Sequence, residues 1–467
     1  MIASLVRMEA TMMLRERRIA GALATAAVLV LLAWAWASVG LLREDAAKRE
    51  VAAAERARWL GQEAKDPHSA AHYSIHAFKP ILPLAALDPG IEPFVGQSVW
   101  LEAHHQNDPL YRPQADASRL QRAGLPNPGA LSLLLAPLLA FLLAHAAVSA
   151  ARERGSWRFV LAGAASPLRM LSAKAVAAWM LVSSALVLPA FVCMAVVVAT
   201  RGEWDAETAM RAAGWLFVAL AYMAIVVLLG IAVVARMRAT RLAVAGLFVA
   251  WAVVFVAAPR WASDAAIRAR PLPSGQDVRA QLLAEAPAYW LADEAKARRA
   301  ELLHRHGVDS VDALPVDLRG AELDAAERHS HQVFDRVIGG YQQRMAEQDG
   351  HFRRWAALSP AIAAGALSQA FAGTDFGHHR AFVVAAETYR RALVNRMNAE
   401  VMRHAGDAPG GRYQADASLW RQIPDFAHRP PRIVDEGVVD PVAWWSIAAW
   451  LAIALSIFLW SARRVRP

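Results

Sequence analysis

A single cysteine, Cys193, stands in an apolar run, so neither a disulfide framework nor a cysteine-built zinc site can form within one copy of this 467-residue chain. Charge is also scarce: 19% of residues are Asp, Glu, Lys or Arg, where an average soluble domain carries about 25%. No lysine follows a glycine, which excludes the GxxxxGK[ST] loop that cradles nucleotide phosphates. There is no Ser/His/Asp constellation and no HExxH helix, so no catalytic residues are assigned and the chain reads as no enzyme. Strand alternation is scarce, and there is no internal repeat and no low-complexity tract.

What the chain has in excess is apolar residues, 56% of the total, gathered in blocks. Residues 19–42, 129–150, 175–200, 212–235, 242–258 and 441–462 contain no Asp, Glu, Lys or Arg. About 20 apolar residues cross a bilayer core of ~30 Å, so these predict six transmembrane helices. Asp440-Pro441 opens the last as N-cap and first helical residue, with Trp444 and Trp445 at one interface and Trp460 at the other. Pro137 and Pro189 fall inside spans, where neighbouring helices can satisfy a freed carbonyl. Residues 1–18 predict an amphipathic elbow helix: Ile2, Leu5, Met8, Met12 and Met13 recur at helical spacing before Arg15, Arg17 and Arg18. A plain basic flank is the blander alternative. Ala35-Trp36-Ala37 resembles a signal-peptidase site, so cleavage competes with a retained first span; the long apolar run and its amphipathic lead-in favour retention.

The net charge of +9 does not point to nucleic acid, because the basic excess is placed by topology. Arg7, Arg15, Arg17 and Arg18, then Arg152, Arg154, Arg158, Arg169 and Lys174, then Arg236, Arg238 and Arg241, then Arg463, Arg464 and Arg466 fall in alternate loops or chain ends. These stretches hold 15 Lys/Arg against 3 acidic residues, and the rest of the chain holds 35 against 38. The positive-inside rule then gives an N-in/C-in, multi-pass protein of the bacterial inner (cytoplasmic) membrane with a cytoplasmic tail at 463–467. The predicted fold is an all-α membrane protein with a mainly helical extracytoplasmic domain built from 43–128 and 259–440. In the second segment, helices are expected over 276–306, 320–355, 360–371 and 377–404, with 405–433 a turn-rich return.

The loop at 151–174 between the second and third spans is charged at its start, apolar in the middle and broken at Ser166-Pro167. Glu153, Gly155, Ser156, Pro167, Arg169 and Lys174 resemble the E-x-G-[TS]…P-x-[RS]…K stretch of type-2 ABC-transporter permeases, with Arg154 inside it. The resemblance implies a short coupling helix that docks on a cytoplasmic ATP-binding-cassette subunit. ATP and Mg²⁺ would then be bound by that partner. It also implies pairing with a second permease copy or a sister permease, and export or extraction from the membrane. A basic loop that only sets topology is the alternative.

Asp66-Pro67 reads as an N-cap and first residue of a short helix that puts His68, His72 and His76 at i, i+4 and i+8 on one face. Imidazoles so placed can share Zn²⁺ or Cu²⁺, and His104-His105 can add a ligand. Packing within the domain is the competing account. The stretches 65–80 and 100–107, Leu358-Ser-Pro, and Ala372-Gly-Thr-Asp375 followed by His378 resemble the permease branch with a large ectodomain of unknown function, grouped with permeases linked to multicopper-enzyme maturation. His145, the one histidine inside a span, is a further candidate at membrane depth. The expectation is therefore a permease subunit with a domain that gates the exit or docks a periplasmic partner. Its rivals are a membrane-anchored assembly or metal-handling factor without transport, and an ATPase-coupled machine that moves the domain mechanically.

Overall fold

The computed structural model describes residues 2–112, 127–153, 155, 166–237, 239–285, 292–404 and 413–465. The amphipathic start forms α1 (Ile2–Arg15), which buries Glu9 and Met13. Glu16 leaves helical geometry, and α2 (Arg17–Leu60) then runs unbroken for 44 residues. At 1.5 Å per residue it is about 66 Å long, more than twice a hydrocarbon core. It continues past the apolar run because residues 43–58 are mostly strong helix formers, with i,i+4 ion pairs Glu44–Lys48 and Asp45–Arg49 at 2.8 Å each.

Next come α3 (Pro67–Tyr73) and the antiparallel strands β1 (Ile75–Phe78) and β2 (Ser98–Leu101), paired from Ile75↔Leu101 to Phe78↔Ser98. The bundle is built by α4 (Pro128–Glu153), α5 (Pro167–Arg201), α6 (Ala206–Arg236) and α7 (Thr240–Trp251). A π-turn over Ala252–Ala257 carries α7 into α8 (Ala258–Ala269). The polar helices α9 (Gly275–Glu285), α10 (Ala292–His306), α11 (Leu318–Phe334) and α12 (Gly340–Arg354) follow. Then come α13 (Pro360–Ala372), α14 (Phe376–Arg403), α15 (Ala417–Gln422) and α16 (Pro441–Arg463). Among the described residues, six helical runs are long and apolar enough to cross a membrane: α2, α4, α5, α6, α7 with α8, and α16. Among the described residues the fold is all-α apart from the two short strands, which at four residues each are too brief to announce themselves by alternation.

Helix α6 is the centre of the bundle, packed against α4, α5, α13 and α16. Its buried face runs from Trp215 through Tyr222 and Val226 to Val234, and two aromatic polar edges in this core find carbonyl partners. Tyr222 donates to Leu133 O at 2.7 Å and Trp179 Nε1 to Leu220 O at 3.0 Å. Outside, Trp36, Leu188, Phe217, Leu242, Phe248 and Trp445 are all exposed. In water a belt of that size is an aggregation surface, whereas in lipid it is at home. Helix α13 joins the bundle core, burying Ala363, Leu367 and Phe371.

A second core lies beyond the bundle. Trp59 of α2 donates Nε1 to Trp420 O of α15 at 3.0 Å, and around this pair gather Ala70, Ile75, Leu101, Phe382, Leu393 and Met397. The segment after α2 and the segment after α8 thus fold as one domain, braced by the far end of α2.

Candidate functional site

At one end of the bundle the basic residues hold helices together. Ser166 caps α5, its Oγ accepting Arg169 N at 3.2 Å, with Pro167 in the first helical position. The break at Ser166-Pro167 is therefore a helix start, two turns before the charge-free run begins. Lys174 lies within α5 and is buried, its Nζ 2.6 Å from Glu9 Oε2 of α1, with the two side chains 4% and 5% exposed. Arg169 is exposed beside it. Arg152, in the last turn of α4, donates to the carbonyls of Val234 at 2.9 Å, Ala235 at 2.7 Å and Met237 at 2.6 Å, and so caps the end of α6. Glu153 ends α4, and exposed Gly155 follows with φ +68°, its N–H bonded to Arg152 O at 3.0 Å. That is the left-handed closing turn for which glycine is suited. Arg154 and Ser156 lie outside the described residues. The guanidiniums of Arg236 and Arg464 each sit 4.9 Å from the Trp460 ring, joining α16 to the same end.

A polar network joins the other end of the bundle to the domain. Arg211 of α6, 2% exposed, donates to Glu207 at 2.7 Å, to Ala370 O and Phe371 O at 3.1 and 3.2 Å, and to Pro431 O at 2.5 Å. It also lies 3.3 Å from His378 Nε2, and His378 Nδ1 is 2.7 Å from Asp375 Oδ1. Burial alone raises the Asp375 carboxyl; His378 and Arg353 overcome it and hold the group below the ordinary carboxylate range. Ser359 Oγ donates to Val254 O at 2.7 Å, satisfying a carbonyl inside the π-turn of the fifth span. Both stretches singled out in sequence, 358–360 and 372–378, are thus junction pieces.

The histidines separate into two places. Asp66 accepts Ser69 N at 3.1 Å and starts α3, which presents His68 and His72 one turn apart. The helix stops at Tyr73 because Ser74 takes φ +60° and turns the chain into β1. His76 consequently does not share their face. It sits opposite Trp100 in the sheet, with Nδ1 3.2 Å from Glu55 Oε2. Its place is taken by His104, from the turn after β2. His68 Nε2 is 3.2 Å from His72 Nε2 and 3.1 Å from His104 Nε2. Behind the rings, Asn398 Oδ1 meets His68 Nδ1 at 2.8 Å and Glu327 Oε1 meets His104 Nδ1 at 2.5 Å. Burial first, then the neighbouring positive groups, push His68 down to about 4, so its ring is neutral near pH 7; burial lowers His72 as well. His105 is exposed and stays outside the cluster.

Sequence reasoning did not find Glu9, Glu327 or Asn398. A lone acid among the apolar positions of α1 was the available signal for Glu9; the other two lie more than 200 residues from the histidines they bond and carried none.

A family model described as ABC-2 family transporter protein matches residues 3–283, more than half of the chain. The chain belongs to the ABC-2 transporter family. A second model, a domain of unknown function (DUF3526), matches residues 274–429. No curated protein and no solved structure matches the chain. With six apolar helices, this ABC-2 protein is a multi-pass membrane protein and a transporter permease subunit that carries an extra domain. The two matches meet within α9, and α16 of the permease lies beyond both. His68, His72 and His104 fall in the ABC-2 match, whereas Glu327 and Asn398, which hold their rings, fall in the other.

Proposed function

We propose that this ABC-2 permease is the export-type membrane subunit of a transporter driven by a separate cytoplasmic ATPase. The contact is made through residues 151–174, with both chain ends in the cytosol of a bacterial cell, and the permease works paired with a second copy or a sister permease. The observation that carries the reading is the family match across a loop whose flanks are locked to the bundle. Arg152 ties the end of α4 to the end of α6, and Lys174 ties the start of α5 to α1. A push on the loop therefore moves four helices together rather than bending one, which is what converting ATPase closure into a change of the spans requires. A cleft of about 480 Å³ beside α2, lined by Trp36, Leu41, Pro80, Phe94 and Gly373, supports extraction of a substrate from the membrane.

Co-expression with the ATPase tests this reading. The subunits are expected to co-purify in detergent, and Gly155→Ala and Pro167→Ala are expected to abolish the permease's stimulation of ATP hydrolysis while the complex persists. Unchanged stimulation in both variants contradicts the coupling role, and failure to retain any ATPase favours an assembly factor without transport. A mechanical second reading draws on α2, whose unbroken course from bundle to domain core can carry ATPase-driven motion outward without passing a substrate.

A further inference from the structure

His68, His72 and His104 bring three imidazole nitrogens within 4.8 Å of one another, the one such group of His, Cys, Asp or Glu among the described residues. Glu327 can only accept a hydrogen bond when ionised, so His104 carries a proton on Nδ1, and in the neutral ring its Nε2 is a lone pair. His68 is in the same state, with Asn398 Oδ1 against its Nδ1. With both rings neutral, their Nε2 lone pairs face each other at 3.1 Å, a repulsion that a cation between them, a metal ion or a proton, relieves. A zinc–nitrogen bond of about 2.0–2.1 Å places neighbouring ligands of a tetrahedral site about 3.3 Å apart. The two Nε2 separations of 3.1 and 3.2 Å are close to that edge.

The support behind the rings is that of a built site. A carboxylate or amide oxygen on the far nitrogen fixes tautomer and ring orientation, as at metal-bound histidines generally. Glu327 is fully buried and also accepts His104 N at 3.1 Å, gripping backbone and ring of the same residue. His104 needs that grip, since its backbone sits in the left-handed region at φ +65°. Arg390 and His331 approach Glu327 from the other side, at 3.8 and 3.6 Å. His72 is exposed, so the cluster opens to solvent on one side.

We propose that His68, His72 and His104 form a three-imidazole site for a divalent transition metal of the zinc class, with its fourth position open to solvent. Its ligands come from the segment after α2 and its supporting oxygens from α11 and α14, so the metal also braces the two halves of the domain. The site is independent of the permease reading, because neither ATP hydrolysis nor transport enters its test.

The test uses the full-length chain in detergent, stripped with a chelator and titrated with Zn²⁺ alone. Calorimetry and elemental analysis are expected to give one zinc per chain, with thermal stability raised by the metal. The His72→Ala variant, at an exposed position that leaves folding intact, and His68→Ala/His104→Ala are expected to lose stoichiometric zinc. Glu327→Gln is expected to weaken binding about 10–100-fold. His76→Ala and His105→Ala are expected to bind as the parent does. Co²⁺ in place of zinc is expected to give the intense visible bands of a tetrahedral site. The proposal is overturned if the parent binds no more zinc than His68→Ala/His104→Ala, if His76→Ala removes the metal, or if Co²⁺ keeps the weak spectrum of the aqueous ion.

Discussion

Glu9 and Lys174 form an ion pair out of contact with water, 2.6 Å apart, linking the first helix of the chain to the third span. At an effective dielectric of about 20 their attraction is on the order of 6 kcal/mol, most of it offset by the cost of taking both charges out of water. Removing one partner leaves the other stranded, which costs about 3–5 kcal/mol; replacing both by apolar groups of similar size costs little or nothing. Glu9→Gln and Lys174→Met are therefore each expected to lower the thermal midpoint of the detergent-solubilised protein sharply. Glu9→Leu/Lys174→Met is expected to recover most of that loss. Following the midpoints by size-exclusion chromatography after heating gives a double-mutant cycle. If the double variant shows the sum of the two single losses, the side chains do not act as a pair and the locked-flank argument for the 151–174 loop fails.

Gly214 of α6 faces the ring of Phe371 so closely that a methyl group has no room. Gly214→Ala is expected to cost about 1–3 kcal/mol by overpacking and to loosen α13 from the bundle, visible as faster proteolysis of the domain; unchanged protease resistance contradicts this. Trp59→Ala removes a fully buried indole and its bond to Trp420 O, and is expected to destabilise the domain by about 3–5 kcal/mol in chemical unfolding. Burial, with Lys79 adding to it, pushes His379 down to about 3 and His428 to about 4, from 6.5. Between these values and 6.5 the unfolded chain binds protons that the folded one refuses, so stability is full above about pH 6.5 and drains away as pH falls toward 4. The thermal midpoint is expected to drop over that window and to drop less in His379→Gln; a flat profile in the parent refutes the reasoning.

The six spans were legible because each is a charge-free block and nothing in water tolerates such blocks side by side. Their ends were not. α2 continues past Leu42 through charged residues whose i,i+4 pairing suits a helix, a signal that hydropathy, which marks only the end of the apolar run, does not register. The same holds for Pro167–Lys174, polar enough to read as loop yet capped by Ser166 as the start of α5. In the domain, the helices over 320–355, 360–371 and 377–404 were readable from proline breaks and caps, as were α9 and α10 within 276–306, of which 286–291 lie outside the described residues. The strand that displaces His76 was not, because one residue, Ser74, in a left-handed conformation ends α3 a turn early. Two of the three histidines of the cluster, His68 and His72, followed from i,i+4 spacing. His104 joined it through a turn, and Glu327 and Asn398 through tertiary contacts that leave no local trace.

The most direct test of the account is the sidedness of the 151–174 loop. With Cys193 replaced by serine and a cysteine placed at Val160, a membrane-impermeant thiol reagent is expected to label inverted vesicles and to leave intact cells unlabelled until they are permeabilised. Labelling of Val160→Cys in intact cells would put the loop beyond the reach of any cytoplasmic ATPase and contradict the proposed coupling outright.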